Sequence, residues 1–229
     1  LGGRLVTLPE PEDLRDRTEI EFRLEFEPDG DTRIVRRTRY YGMHHAAYVR
    51  EIRELTAEEL RRRDLAELAE ISLDAELESP PVRRLEEHPA EEELRFRIPR
   101  LAQRADPWWY VEPPLPRPAW PGVHGEARTQ PLYWARPVRE HLTLYLRPPA
   151  DVSLLEGVPE PLAKSAPHLG TAIMEVRREN DGVIRWTRQI NFPAGLRPAA
   201  AVEELRDLAD QVRHLSRRAW VGRLPAGNR

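Results

Sequence analysis

Two Asp-Gly turns, each set between alternating strands and followed by a helix, constrain the fold of this chain more than any other feature. In the second, Thr171–Arg178 and Val183–Ile190 flank Asn180-Asp181-Gly182. An Asp-Gly pair between alternating segments is the strongest short hairpin signal, because the favoured turn needs positive φ at both central residues. Ala172, Met174 and Val176 share one face of the first arm, and Ile184, Trp186 and Ile190 share one face of the second. Pro193, Gly195 and Pro198 then turn the chain. From Ala199 onward Val202, Leu205, Leu208, Ala209, Val212 and Leu215 recur at helical spacing. Pro198 suits the first turn of such a helix, and Glu203 and Glu204 sit at the positive end of its dipole.

The first turn has the same grammar. In Thr18–Glu27, Ile20, Phe22, Leu24 and Phe26 alternate with Glu19, Glu21, Arg23 and Glu25, the pattern of a half-buried strand. Pro28-Asp29-Gly30-Asp31 turns it, and Thr32–Tyr41 returns as a more basic strand. Gly42 opens a helical region with Tyr48, Val49, Ile52 and Leu55 on its apolar face. Thr56-Ala57-Glu58-Glu59 is a capping box that restarts it, and Leu60, Leu65, Leu68 and Ile71 carry it to about Ser72. Gly30 and Gly182 therefore mark equivalent turns, either a distant duplication or two uses of one supersecondary unit.

Between these units, Ala75–Leu85 and Glu92–Ile98 read as strands joined by a solvated acidic connection, Glu86–Glu93. From Pro99 to Pro121 prolines recur, which predicts an extended surface crossover rather than a strand or helix. Leu142, Leu144 and Leu146 start the next strand, and Arg4–Leu8 is expected to be a short one. The fold class predicted is α+β, mainly antiparallel, with two β-rich subdomains each carrying one amphipathic helix. The expected divisions are 1–100, a Pro/Trp-rich crossover over 101–137, and 138–229.

A formal charge of −3 with mixed signs gives no concentrated basic face, so nucleic acid is not an expected partner. Of 36 basic residues only Lys164 is lysine, which reads as codon bias. No apolar run reaches the length of a membrane span. The absence of cysteine excludes disulfides, thiolate metal sites and a cysteine nucleophile from this chain. No zinc, phosphate-loop, dinucleotide, nucleophile-elbow or EF-hand motif is present. His44-His45 point about 100° apart on a helix and do not converge on one metal, and Asp29-Gly30-Asp31 reads as a turn. No catalytic residue, metal or cofactor is expected.

Trp108, Trp109, Tyr110, Trp120 and Trp134 form the one group with binding promise. Exposed on an extended segment they would stack on sugar rings or dock a partner; buried, they would anchor that segment to the sheet.

The order of motifs resembles the region that follows the papain-like core in bacterial transglutaminase-like proteins flanked by domains of unknown function. Gly3-Arg4-Leu5-Val6-Thr7-Leu8-Pro9 is similar to the strand and exit that follow such a core. Asp29-Gly30, Tyr40–Gly42, Tyr48–Arg53, Leu55–Leu60 and Ala75–Ser79 resemble the next elements. Asp181-Gly182, Phe192–Gly195, Val202–Leu208 and Arg217–Leu224 resemble the ending. The tryptophan-rich Trp108–Trp134 stretch departs from the family, as do Leu205 and Leu208 where Tyr and Phe are usual. The resemblance implies a Cys-His-Asp triad in a core upstream, none of which maps onto this chain, and an envelope-associated location. A chain opening Leu1-Gly2-Gly3 is then expected to be an excised piece.

The function expected is a non-catalytic accessory or protein-interaction module whose partner is an adjacent transglutaminase-like core or another protein. Its rivals are a carbohydrate-binding β module, an architectural subunit of a larger assembly, and an enzyme using histidines and carboxylates in an arrangement that the sequence does not reveal.

Overall fold

The structure is a computed structural model that describes residues 15–118, 129–156, 158, 160–166, 169–179 and 182–224. The expected strand at Arg4–Leu8 lies outside these residues. The first unit contains β1 (Arg17–Phe26), β2 (Thr32–Tyr41), α1 (Met43–Glu54), α2 (Ala57–Ile71), β3 (Glu76–Leu77), β4 (Val82–Arg84) and β5 (Ala90–Ile98). There follow β6 (Ala102–Ala105), β7 (Trp108–Val111) and β8 (Leu132–Trp134). The rest comprises β9 (Val138–Arg147), β10 (Ser153–Glu156), β11 (Leu162–Ala166), β12 (Gly170–Arg178), β13 (Ile184–Phe192), β14 (Gly195–Arg197), α3 (Ala201–Ser216) and β15 (Trp220–Arg223). The class is α+β and mainly antiparallel, as the alternation predicted.

Nine strands make one sheet in the order β11-β12-β13-β9-β1-β2-β5-β3, with β4 also on β5. The first and second halves of the chain meet at its centre, where β1 and β9 run parallel with Ile20 opposite Leu142 and Phe22 opposite Leu144. Period two puts Phe22, Leu24, Ile34, Phe96, Leu144 and Trp186 on one face, which is buried. The opposite face carries alternating charge, such as Glu21 opposite Arg37 and Arg37 opposite Glu93. A sheet covered on one side only shows this division. Leu68 of α2 and Leu205, Leu208 and Val212 of α3 join the buried face in a single core.

Thr56 caps α2 as predicted. Its hydroxyl accepts from the Glu59 N–H while the Glu59 carboxylate accepts from the Thr56 N–H at 2.8 Å. The break at Leu55 makes two helices, α1 and α2, where one helical region was expected.

The proline-rich stretch differs from expectation. Pro107 sits in the turn between β6 and β7, so neither strand contains a proline, and both join β15 and β10 in a four-stranded sheet. Prolines at strand boundaries do not remove ladder donors, which is why the spacing of prolines mattered more than their number. Trp109 meets Phe26 edge to face at 5.2 Å, fixing this second sheet on the first. Ala75–Leu85 also forms two short strands instead of one, interrupted at Ser79-Pro80-Pro81.

Candidate functional site: two buried arginine centres

Alternation carries charged side chains into the core at two places. In β2 the inward positions are Thr32, Ile34, Arg36 and Thr38, and in β5 they are Glu92, Leu94, Phe96 and Ile98. Arg36 Nη2 donates to Glu92 Oε2 at 3.2 Å and to Glu67 Oε1 of α2 at 2.6 Å. Arg63 of α2 reaches Glu92 Oε1 at 3.2 Å, Arg83 of β4 reaches it at 2.8 Å, and the Tyr48 hydroxyl of α1 donates to it at 2.8 Å. Arg83 also bonds Asp64. Glu92 is 0% exposed.

An isolated carboxylate so buried would cost several kcal/mol. Burial pushes Glu92 up, but Arg63, Arg36, the Tyr48 hydroxyl and Arg83 together hold it below the usual carboxylate range. The same burial, with Glu92 beside it, pushes the Tyr48 phenol up. Arg36, Arg63 and Arg83 thus meet Glu92, Glu67 and Asp64, and Arg63 also pairs with the more exposed Glu51 at 2.9 Å, so every charge of the centre has an opposite neighbour. The expected solvated acidic connection at Glu86–Glu93 is thereby corrected. Glu92 and Glu93 belong to β5 and are buried, because the strand begins at Ala90 and alternation continues through them. Glu93, on the opposite face, accepts from Arg37 at 2.8 Å and from Arg95 at 2.8 Å.

The second centre lies under α3. Arg188 of β13 is 0% exposed. Its Nε donates to Glu140 Oε1 of β9 at 2.8 Å, Nη1 to Ser216 Oγ at the end of α3 at 3.1 Å, and Nη2 to the Pro116 carbonyl at 3.0 Å. One guanidinium thus joins strand, helix and proline-rich segment. A groove of about 760 Å³ opens beside it, lined by Ser216, Pro116, Glu70, Glu112, Arg117 and Arg217 among others.

The two centres occupy the same place in the same unit. Arg36 and Arg188 each come six positions after a turn glycine, Gly30 and Gly182. Arg36 faces Phe22 and Leu94 in register, with Glu92 one row further along β5. Arg188 faces Met174 and Leu142, with Glu140 one row further along β9. Even the turn bonds repeat. Glu27 and Glu179 donate their N–H to Asp31 and Val183 at 2.8 Å, and Gly30 and Gly182 donate to Glu27 and Glu179 at 3.1 Å. A break in period two at a fixed distance from each Asp-Gly turn is the sequence signal that would have exposed both arginines.

The aromatic group named from sequence is not assembled into a platform. Trp109 is 1% and Trp134 6% exposed, so of the two alternatives these two rings take the anchoring one. Trp108 is 44% exposed, and Tyr110 donates its hydroxyl to Gln103 Oε1 at 2.5 Å. Trp120 lies outside the described residues. Trp134 stacks beneath the Arg197 guanidinium at 5.3 Å.

His44 is exposed and His45 half-buried, with Nε2 of His45 at 3.2 Å from the Glu87 carbonyl. Glu27, Asp29 and Asp31 bring carboxylate oxygens within 4.8 Å of one another. Each already has a protein partner: Glu27 pairs with Arg33, Asp29 accepts from the Asp31 N–H, and Asp31 pairs with Arg97.

No helix among the described residues is long and apolar enough to cross a membrane. The chain matches no family model, no curated protein and no solved structure.

Proposed function

We propose that this chain is a non-catalytic accessory or protein-interaction module, working beside a transglutaminase-like core or another partner protein. The observation that carries the reading is the way its buried ionisable groups are used. Glu92, Asp64 and Glu140 each sit against arginine, and arginine neither accepts nor releases a proton near neutral pH. A general acid or base needs a carboxyl or imidazole tuned towards the working pH. Glu92 is instead driven away from it. Such centres fix helices on a sheet and so hold a surface in one shape, which favours binding over turnover. The transglutaminase-like context rests on the order of sequence motifs.

The test is a screen of the purified chain against amide, peptide and ester substrates, with and without added divalent metal. No turnover above the uncatalysed rate is expected. Turnover abolished by a point change within the chain would overturn the proposal.

A further inference from the structure

The nine-stranded sheet ends differently on its two sides. On one side, β3 and β4 are two and three residues long with Pro80-Pro81 between them, the kind of short edge that resists further pairing. On the other, β11 presents five residues without an internal proline and is the last strand of the sheet among the described residues. Ala163, Lys164 and Ser165 are exposed. An edge strand leaves every second N–H and C=O unpaired, and these can receive another strand.

Beside this edge runs the flank of α3. Lys164, Ser165, Glu204, Asp207, Leu208 and Gln211 line one notch of about 230 Å³. Leu208 is 4% exposed and forms its apolar floor. Glu204, Asp207 and Gln211 stand one turn apart along the helix. Successive members of such a stripe are about 5–6 Å apart, close to the roughly 7 Å between alternate side chains of a strand. Glu203 pairs with Arg206 and Asp210 with Arg213, whereas Glu204 and Asp207 have no ion-pair partner among the described residues.

We propose that β11 and the acidic flank of α3 together receive an extended, basic segment of a partner protein as a tenth strand. Backbone bonds to β11 supply register, and alternate arginine or lysine side chains meet Glu204 and Asp207. Lys164 projects on the helix side of β11, since it pairs with the inward-facing Ala172. It guards the notch: its charge disfavours indiscriminate pairing and weakens the basic ligand as well. The inference rests on the binding-module reading and names the partner's chemistry.

The probe is an end-blocked peptide of alternating arginine and valine, with threonine-valine and glutamate-valine peptides as controls. Affinity is read by fluorescence anisotropy, and the bound strand is located by amide hydrogen exchange. Slowed exchange confined to β11 is expected with the basic peptide. E204Q with D207N should weaken binding about tenfold, the product of two surface charge pairs. K164A should tighten it about two- to fivefold. Of A163P and K164P, the one replacing an outward N–H should keep the fold, checked by circular dichroism, and lose binding.

Equal binding of all three peptides, no response to E204Q with D207N, weaker binding by K164A, or β11 amides already protected in the free protein would each overturn the proposal. None of these outcomes involves turnover, so the binding-module reading fails or stands separately.

Discussion

The Arg36 and Arg188 centres start from the same local plan and end in different environments. Both arginines follow a turn glycine by six positions, both reach a glutamate on the neighbouring strand of the sheet, and both tie that strand to a helix. Around Arg36 the space is filled by Arg63, Arg83, Asp64 and Tyr48, supplied by α1, α2 and β4. Around Arg188 a carbonyl of the proline-rich segment and a serine hydroxyl complete the set of acceptors, and a groove remains. A repeated hairpin thus fixes the position of a buried charge, whereas the segments packed around it decide what neutralises it. In the first unit the partner strand β5 follows the hairpin; in the second, β9 precedes it. The two units therefore match in space with their segments in a different order, so the repeat is visible along the sequence as strand, turn, strand and helix, but not in the strand that supplies the glutamate.

Removing Glu92 should be the most damaging single change, because Arg36, Arg63 and Arg83 lose the one buried carboxylate that all three share. E92A is expected to cost about 5 kcal/mol, the upper end for an uncompensated buried charge. Urea denaturation measures this, and a loss below about 2 kcal/mol would show that the centre relaxes into water. R188M leaves one buried carboxylate, Glu140, and should cost about 3 kcal/mol. R188M with E140L should recover most of that loss, since an apolar pair of similar volume removes the desolvation penalty. If the double variant is no better than the single one, the bonds to Ser216 and Pro116 matter more than the charge pair.

Gly30 and Gly182 have φ of 94° and 81°, which L side chains rarely adopt. At Gly30 a Cβ would lie 2.3 Å from the Ala102 carbonyl oxygen, whereas at Gly182 nothing among the described residues lies within 4 Å. G182A should therefore cost only the left-handed backbone penalty, about 1–2 kcal/mol. G30A should cost more than G182A, because the second sheet must also move. Equal losses would mean that the Ala102 contact gives way freely.

The smallest effects are those of pH. Glu92 has a depressed folded value, so its contribution is present above the ordinary carboxylate range near about 4 and is lost as pH falls through the lower folded value. His141, on the charged face, is pushed down by burial; Glu19 opposes this, while Arg185 and Arg17 add to it. Its folded value lies below the unfolded one. Stability should thus decline as pH falls below about 6.5, where the unfolded chain takes up the proton first. Melting temperatures from pH 8 to pH 5 should fall less steeply for H141Q than for the parent chain. Parallel curves would assign the decline to other groups.

Much was legible from residues alone. Strict alternation gave β1, β2, β12 and β13, Asp-Gly marked both turns, and Thr56 with Glu59 marked the start of α2. These signals are local, involving residues within one hairpin or one helical turn, so sequence spacing suffices to read them. Trp109 and Trp134 were recognised as a choice between binding rings and anchors, and only their burial decided it. Glu92 was misread because the charge run Glu86–Glu93 looks uniform in sequence, while alternation within β5 sends Glu92 inward and Glu91 outward.

Residue order alone sets the α+β class, the hairpin turns, and the stretches that must become strands or amphipathic helices. Tertiary structure decided that β1 and β9 lie side by side, that β6 and β7 form strands, and that three arginines converge on Glu92 from β2, β4 and α2. The physical reason is the distance over which each is settled. Turn geometry and alternation are fixed by neighbours a few residues apart. A buried charge is tolerable only once partners from distant segments have arrived, and their arrival depends on how the sheet is assembled.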